Sequence, residues 1–311
     1  MRLSSTLPLL TLLLGACGDD GGSMPMVDAK VDDRGFNKPT APLMANDEEG
    51  ENNWVEKGPA DLSCLGTPSD DAPTTQEITI NTQVTDFQSG NANPGVMVTA
   101  YANQDAGTPF GPAATSDDAG NLTMTIPAGT KRFGYKMVDT SDSLDTLLLN
   151  QVLEDGTTTP QTVSDIQIVS KATAATLPAL IGVSRTEGTG VLAGAVRDCA
   201  GFEISNFIAT VSSTSGANNT PPTFLEGVDT YYFSASVGLP VRHSQQAASS
   251  KDGLFMAIEM QPNPTAYVQV WGYKTAADVT ADNLTLIAEL KTQVIAETVI
   301  TGSYEPLRTG N

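Results

Sequence analysis

Apolar side chains recur at every second position in several segments of this chain, which is the pattern of a β-strand with one buried face. Residues 96–101 and 132–138 are further runs of strand-favouring residues. Asp, Gly, Asn and Pro separate these segments and provide the chemistry of turns. The pattern predicts a mainly β fold. The alternating positions are Ile78, Ile80, Thr82 and Val84 in one segment and Leu122, Met124 and Ile126 in another.

The same order of strands and turns recurs in the second half of the chain, with an insertion around residues 216–244. We therefore predict two tandem Ig/transthyretin-like β-sandwich domains, at residues 61–140 and 190–308. The corresponding segments are 80–86 with 191–198, 96–99 with 208–211, 116–120 with 250–253, and 132–136 with 267–274. The apolar positions expected to alternate in the second copy are Leu254, Met256, Ile258 and Met260.

Residues 141–189 separate the two copies and are predicted to form a connector with a short helix at residues 171–182. The leucines at residues 144–148 are compatible with a helix or a strand. After the second copy, residues 279–290 are compatible with a helix or a loop, and residues 292–301 are predicted to form a closing strand.

The N-terminus is organised like a signal peptide at residues 1–16. Arg2 is a positive start, and the apolar stretch at residues 3–14 is shorter than the roughly 20 residues that a membrane-spanning helix needs. The stretch ends in Leu14-Gly15-Ala16-Cys17, which resembles the lipobox of bacterial lipoproteins. The resemblance implies cleavage before Cys17 and lipid on its thiol. An ordinary cleaved signal peptide with an incidental cysteine is the alternative.

Residues 17–60 contain Gly, Asp, Asn, Pro and Glu without a sustained apolar period, so we predict a disordered acidic tether. The chain carries a formal net charge of −20, with 36 acidic and 16 basic residues. Such a surface repels phosphate, so we predict no nucleic-acid partner and no attraction to anionic lipid headgroups. Lipid on Cys17 is therefore the expected membrane contact. The expected location is the bacterial cell envelope, at the outer membrane or cell surface rather than the inner membrane.

If Cys17 carries lipid, Cys64 and Cys199 remain as an even pair of cysteines. In an oxidising compartment such a pair favours a disulfide, which would tie the start of the first domain to the second domain. Two buried free thiols are the alternative.

Short motifs within each copy point to a known family of domains. In the first copy they are Val84-Thr85-Asp86, Pro94-Gly95-Val96-Met97-Val98, Asp118-Ala119-Gly120-Asn121-Leu122 and Ile126-Pro127-Ala128-Gly129. The second copy keeps Val196-Arg197-Asp198 and Asp252-Gly253-Leu254 but lacks the Pro-Gly turn and the final glycine. The unit resembles the carboxypeptidase regulatory-like domain, a transthyretin-like sandwich, and the whole chain resembles lipoproteins of myxobacteria. The resemblance implies a non-catalytic domain of a surface protein, with a carbohydrate-binding-like fold that implies no ligand.

No group of residues matches a motif for catalysis or for a cofactor. The single histidine, His243, lies in the loop-rich insertion, and the chain has no Gly-x-Ser-x-Gly motif for it to serve. One histidine and two distant cysteines are too few for a zinc site. The acidic turns at residues 117–118 and 139–142 lack EF-hand spacing, and calcium binding there is left open. We predict a protein that is not an enzyme, with no catalytic residue, no metal site and no cofactor.

Two aromatic clusters of the second copy are the candidate ligand-binding residues. Tyr231 and Tyr232 lie in the insertion, and Trp271 and Tyr273 lie in a predicted strand. Exposed rings of this kind stack on sugars, whereas buried rings belong to the core of a sandwich. Two functions are therefore compared. One is a structural or adhesive surface lipoprotein whose partner is another envelope protein, and the other is a polysaccharide-binding lipoprotein that uses these aromatics.

Overall fold

The computed structural model describes residues 38–50, 52–102, 107–139, 141–153, 155–217, 229–242 and 245–309. In this part of the chain the predicted mainly β fold is confirmed. The strands are β1 (Met44–Glu48), β2 (Trp54–Pro59), β3 (Ile78–Asp86), β4 (Met97–Ala102), β5 (Thr108–Pro109), β6 (Ala114–Thr115), β7 (Asn121–Ile126), β8 (Phe133–Val138), β9 (Asp145–Gln151), β10 (Gln161–Thr162), β11 (Ile166–Ile168), β12 (Gly190–Val196), β13 (Glu203–Ser205), β14 (Ile208–Ser212), β15 (Asp229–Ser234), β16 (Leu239–Val241), β17 (Leu254–Met260), β18 (Asn263–Gly272), β19 (Thr285–Val294) and β20 (Thr298–Tyr304). The helices are α1 (Lys171–Leu180) and α2 (Ala276–Ala281).

The first sandwich packs a sheet built on β3 against strands β4, β8 and β9. β3 pairs antiparallel with β7 and parallel with β10 and β11 in succession. The alternation predicted for β3 and β7 is confirmed, because the apolar side chains of both strands enter one core while the intervening residues are partly or fully exposed. That core includes Ile78, Ile80, Val84, Leu122, Ile126, Phe133, Tyr135 and Ile166.

The second sandwich packs β14, β18 and β19 against a sheet in the order β16-β15-β17-β12-β20. β4, β8 and β9 of the first sandwich have the same antiparallel order as β14, β18 and β19 of the second. In each copy the first long strand pairs antiparallel with one partner and parallel with another, as β3 does with β7 and β11 and as β12 does with β17 and β20. The two halves of the chain therefore share one strand arrangement.

Two glycines have the same surroundings in the two sandwiches. Gly120 and Gly253 have φ of 76° and 63°, a left-handed conformation that favours glycine. A Cβ on Gly120 would lie 2.7 Å from the carbonyl oxygen of Val84, and a Cβ on Gly253 would lie 2.9 Å from that of Val196. In both copies the valine N–H donates to the glycine carbonyl, at 2.8 and 3.0 Å. A close backbone approach therefore requires glycine at both positions.

A buried serine in each copy shows which residues of the two copies correspond. The Ser116 hydroxyl oxygen accepts a hydrogen bond from the N–H of Val96 at 2.9 Å, and that of Ser249 accepts one from Phe207 at 3.0 Å. Ser249, not Ser250, therefore corresponds to Ser116, and the predicted match of the two turns is wrong by one residue.

The offset of one residue reverses the two faces of β17, because successive side chains of a strand point to opposite sides. Phe255 and Ala257 enter the second core, where the prediction had placed Met256 and Ile258. Those two side chains pack on the opposite face, beneath aromatic side chains of β15 and close to the end of α1. Only Met260 lies in the predicted core, after a bulge in the pairing with β12.

β9 joins the two sandwiches. It pairs antiparallel with β8 and parallel with β20 over five residue pairs, so one ten-stranded sheet runs through both sandwiches. Leu148 packs against the first core, whereas Leu147 and Leu149 are fully buried in the second core. All of the leucine segment after Leu144 thus lies in a strand, and part of the predicted connector at residues 141–189 is a central element of the fold.

The predicted short helix is confirmed as α1. Ser170 caps its N-terminus, since the hydroxyl oxygen accepts a hydrogen bond from the N–H of Thr173 at 3.1 Å. Pro178 lies in the last turn, and Gly182 follows the helix with φ of 79°.

The segment that precedes the first sandwich folds onto the second one. β1 and β2 form a hairpin, and β1 pairs with β13. Leu43 is buried, its N–H donates to the carbonyl of Tyr273 at 2.9 Å, and its side chain fills the space beside Gly272. The structure therefore corrects the predicted tether, because its last part, residues 38–60, contributes strands and core contacts.

Residues 61–69 also belong to the second sandwich. The N–H of Gly66 donates to Leu307 at 2.8 Å, and the N–H of Thr309 donates to Thr67 at 2.8 Å. The predicted domain boundary at residue 61 is corrected in the same way, since the first sandwich is inserted between two segments of the second.

Arg132 connects three segments at the junction of the two sandwiches. Its guanidinium donates to Asp71 at 2.6 Å, to Asn150 at 2.8 Å and to Glu305 at 3.0 Å. Charge-assisted bonds in a half-buried position hold the inserted sandwich against the N-terminal and C-terminal segments.

The strand predicted near the C-terminus is broken at a point that the alternation of apolar residues does not predict. Residues 279–290 include the end of α2 and most of β19. The predicted closing strand at residues 292–301 is interrupted after Val294, and β20 resumes at Thr298. Glu297 turns the chain between them with φ of 55°.

Candidate functional site

The four candidate ligand-binding aromatics are buried. Tyr231, Trp271 and Tyr273 are each 2% exposed, and Tyr232 is 3% exposed. Sugar stacking needs an open aromatic face. The structure therefore removes the exposure on which the sugar-binding interpretation of these residues depended.

Three of these four rings make specific contacts within the second sandwich. The Tyr232 hydroxyl accepts a hydrogen bond from the N–H of Ala209 at 3.0 Å, which covers the edge of β14. The Tyr273 hydroxyl donates to Asp282 at 2.7 Å, just after α2. Trp271 lies under the segment that follows β14, where a Cβ on Gly216 would lie 2.9 Å from the indole.

The predicted disulfide between Cys64 and Cys199 is present, with 5.8 Å between the two Cα atoms. Next to it, the N–H of Cys199 donates to the carbonyl of Asp61, and the N–H of Asp61 donates to the Asp198 carboxylate, both at 2.9 Å. We call residues 38–69 the clasp. The disulfide links the clasp to the turn after β12 and therefore fastens it to the second sandwich.

Two of the other residues singled out in the sequence cannot be placed in the structure, and the acidic turn at Asp117 can. Cys17 and His243 lie outside the described residues. Asp117 accepts hydrogen bonds from the N–H groups of Ala119 and Asn121, at 2.9 and 2.8 Å, which is a local turn function. Among the residues that the structure describes, no group of three or more His, Cys, Asp or Glu side chains is placed to hold a metal ion.

Asp252 is a buried carboxyl group that the sequence placed in an ordinary turn. It is 3% exposed, and its Oδ1 accepts a hydrogen bond from Leu254 at 3.2 Å. Its Oδ2 has no hydrogen-bond partner within the described part of the chain. Burial raises the pKa of Asp252 to about 7, and the Glu203 carboxylate adds to the increase. In the corrected register Asp252 occupies the place of Ala119, which is exposed, so the repeat gave no sign that this carboxyl is buried.

The clefts on the described surface include one beside the clasp and one in the first sandwich. The larger, of about 380 Å³, lies between the start of the clasp and the segment before β17, and is lined mainly by small and polar residues such as Thr40, Ser205, Gln246 and Ser250. The smaller, of about 230 Å³, enters the edge of the first sandwich and reaches Phe133 and Tyr135. The sequence pattern predicts that Phe133 and Tyr135 lie in a strand but gives no sign that a cleft reaches them.

Neither described helix has the length and apolar character of a membrane span.

Comparison with known proteins gives no family for this chain. No protein-family model and no curated protein matches it. The chain is similar to the shaft pilin SpaA from Lactobacillus rhamnosus GG, with 14% identity, 75% of this chain and 98% of the pilin covered, and a TM-score of 0.21. It is also similar to a 3-chlorocatechol 1,2-dioxygenase from Rhodococcus opacus 1CP, with 10% identity, coverage of 40% and 74%, and a TM-score of 0.21. At these values the likenesses carry no functional argument, and the resemblance to carboxypeptidase regulatory-like domains stays a prediction.

Proposed function

We propose that this protein is a non-enzymatic lipoprotein of the bacterial cell surface, cut before Cys17, whose folded part is a rigid structural spacer. The observation that carries the proposal is the continuous ten-stranded sheet, which joins the two sandwiches through β9 and β20. Domains joined only by a linker move relative to each other. A shared sheet with leucines buried on both sides of β9 opposes that motion, as a spacer requires.

The clasp gives the spacer a reinforced attachment point. Twenty residues separate Cys17 from Lys38, enough to span at most about 70 Å when extended. Beyond them, the β1–β2 hairpin pairs with β13, and the disulfide ties Cys64 to Cys199. A load applied from the membrane side would enter the second sandwich through these bonds and would bypass the first sandwich. Another envelope protein is the partner that such a spacer would hold away from the membrane.

The lipid attachment can be tested by metabolic labelling with palmitate and by fractionation of cells that express the full chain. The parent protein should be labelled and should sediment with membranes, whereas Cys17→Ser should lose both properties. The matched control is the double variant Cys64→Ser with Cys199→Ser, which removes two thiols and should keep the label. A Cys17→Ser protein that is still labelled and membrane-bound would contradict the proposal.

A further inference from the structure

The smaller cleft is an unassigned feature of the first sandwich. It enters between the ends of β8 and β9 on one side and the segment between β10 and β11 on the other. The buried residues of its lining are apolar or aromatic, and most of the exposed ones are polar, so an apolar floor and polar groups that can orient a ligand are both present. The apolar lining consists of Phe133, Tyr135, Leu148, Val152, Leu153, Val163 and Ile166.

One wall of the cleft is a β-bulge. Phe133 lies opposite Gln151 and Tyr135 lies opposite Leu148, so the stretch of β9 is one residue longer than the facing stretch of β8. Asn150 absorbs the extra residue with φ of 59°, a conformation that is uncommon outside glycine. The bulge displaces the end of β9 from a regular ladder, and the residues that follow it line the cleft.

The facing wall is irregular in the same way. Gln161 lies opposite Ile80 and Ile166 lies opposite Val84, so the segment from β10 to β11 is also one residue longer than the facing part of β3. Residues 163–165 fill this interruption and line the cleft. Bulges are concentrated beside binding sites, where they move side chains out of a regular sheet. Two of them meet at this cleft.

Tyr135 adds a polar group to the lining of the cleft. The residue is 2% exposed, and among the described residues none makes a hydrogen bond with its hydroxyl. Burial raises the pKa of Tyr135 above its ordinary value, so the hydroxyl keeps its proton and can donate. Its ring packs edge-to-face with Phe133, with centroids 5.2 Å apart and an interplanar angle of 88°.

We propose that this cleft binds a neutral ligand with a single aromatic ring and one hydrogen-bond acceptor, which the Tyr135 hydroxyl engages. An apolar cavity of about 150 Å³ holds benzene, so a volume of about 230 Å³ suits one ring with a small substituent. A third ring can extend the edge-to-face packing of Phe133 and Tyr135. Asp165 at the mouth and the net charge of −20 disfavour an anion.

The test is a titration of the full chain with p-cresol, followed by NMR of its Leu, Val and Ile methyl groups. Saturable shifts are expected at Leu148, Val152, Leu153, Val163 and Ile166, and not at methyl groups of the second sandwich. Tyr135→Phe keeps the ring and removes the donor, so Kd should rise by roughly 2- to 12-fold, the value of one hydrogen bond. Tyr101→Phe, on the adjacent strand β4, is the matched control and should leave Kd unchanged.

A second variant tests the location of the ligand. Ser164→Trp places a bulky side chain at the exposed mouth and should weaken binding by at least about tenfold. Shifts that do not saturate, or that spread over both sandwiches, would overturn the proposal. Equal affinities for the parent, Tyr135→Phe and Ser164→Trp would overturn it as well.

Discussion

Asp252→Asn should stabilise the protein at neutral and alkaline pH. The folded state holds the Asp252 carboxyl in a buried position with one oxygen unpaired, and its pKa rises from 3.8 to about 7. Since the folded state binds the proton more tightly than the unfolded state, this carboxyl makes the protein progressively less stable as pH rises from about 4 to about 7. Above about pH 7 the carboxyl is ionised in both states, and the loss levels off.

The magnitude follows from the size of that pKa change. A change of about three units corresponds to about 4 kcal/mol once the group is fully ionised. Part of this loss of stability has already occurred at pH 5. The difference in the free energy of unfolding between Asp252→Asn and the parent should therefore grow by about 3 kcal/mol between pH 5 and pH 8. Asparagine retains an oxygen that can accept the hydrogen bond from Leu254.

Urea unfolding of both proteins at pH 5, 6.5 and 8 measures this difference directly. Asp118→Asn is the matched control, because it makes the same substitution at an exposed position in the corresponding turn of the first sandwich. If the difference between Asp252→Asn and the parent is the same at all three values of pH, the assignment of a buried, unpaired carboxyl is refuted.

Two further predictions concern the stability of the second sandwich. Replacing both Cys64 and Cys199 by serine should lower the free energy of unfolding by up to about 4–5 kcal/mol, because the bond closes a 135-residue separation. Urea unfolding of the oxidised parent and the double variant measures it, and equal midpoints would argue against a bond that closes the clasp. Gly253→Ala should cost more than about 2 kcal/mol, because positive φ and the approach to the Val196 carbonyl act together. Gly129→Ala, which has positive φ but open space around it, should cost only about 1 kcal/mol, and equal losses in thermal unfolding would contradict the close-approach argument.

The sequence predicted those strands that bury only one face. β3 and β7 alternate because one side meets the core and the other is more exposed, so period two identifies both the strand and its inner residues. The pairing of Cys64 with Cys199 was predictable because the expected lipid on Cys17 leaves these two cysteines as a pair. The repeat was predictable from the order of its turns, although not to the residue.

For strands that are buried on both faces, alternation did not predict the strand or its inner face correctly. β17 lies between two apolar clusters, so its sequence does not distinguish the inner from the outer side, and the predicted face was wrong. β9 escaped for the same reason, since Leu147, Leu148 and Leu149 are consecutive and serve two different cores.

The strands of the clasp were not predicted because they are rich in polar residues. Asn46 is fully buried on β1, yet it carries an amide that the pattern assigns to solvent. Its Nδ2 donates to the Ser205 hydroxyl at 3.1 Å and to the carbonyl of Met44 at 3.0 Å. Asn46 is paired with β13, more than 150 positions away, as well as with β2, and local periodicity contains no information about the distant contact.

The cleft of the first sandwich depends on two bulges that meet in space. Each bulge adds one residue to a strand, and neither Asn150 nor residues 163–165 carry a glycine that would indicate it. The sequence therefore predicted only a strand at residues 132–138, and the cleft that reaches Tyr135 follows from the pairing registers.

Whether the two sandwiches form one rigid spacer can be measured as a distance distribution between two spin labels. In a Cys17→Ser background, labels at Thr125→Cys on β7 and Lys291→Cys on β19 report on the two sandwiches, since both side chains are exposed. The native disulfide leaves no other thiol to label. A pair at Leu239→Cys and Lys291→Cys, within the second sandwich, sets the width expected of a rigid body. A rigid spacer should give one peak between the sandwiches that is as narrow as the distribution of this internal control, and a broad or multiple distribution would contradict the proposed rigidity.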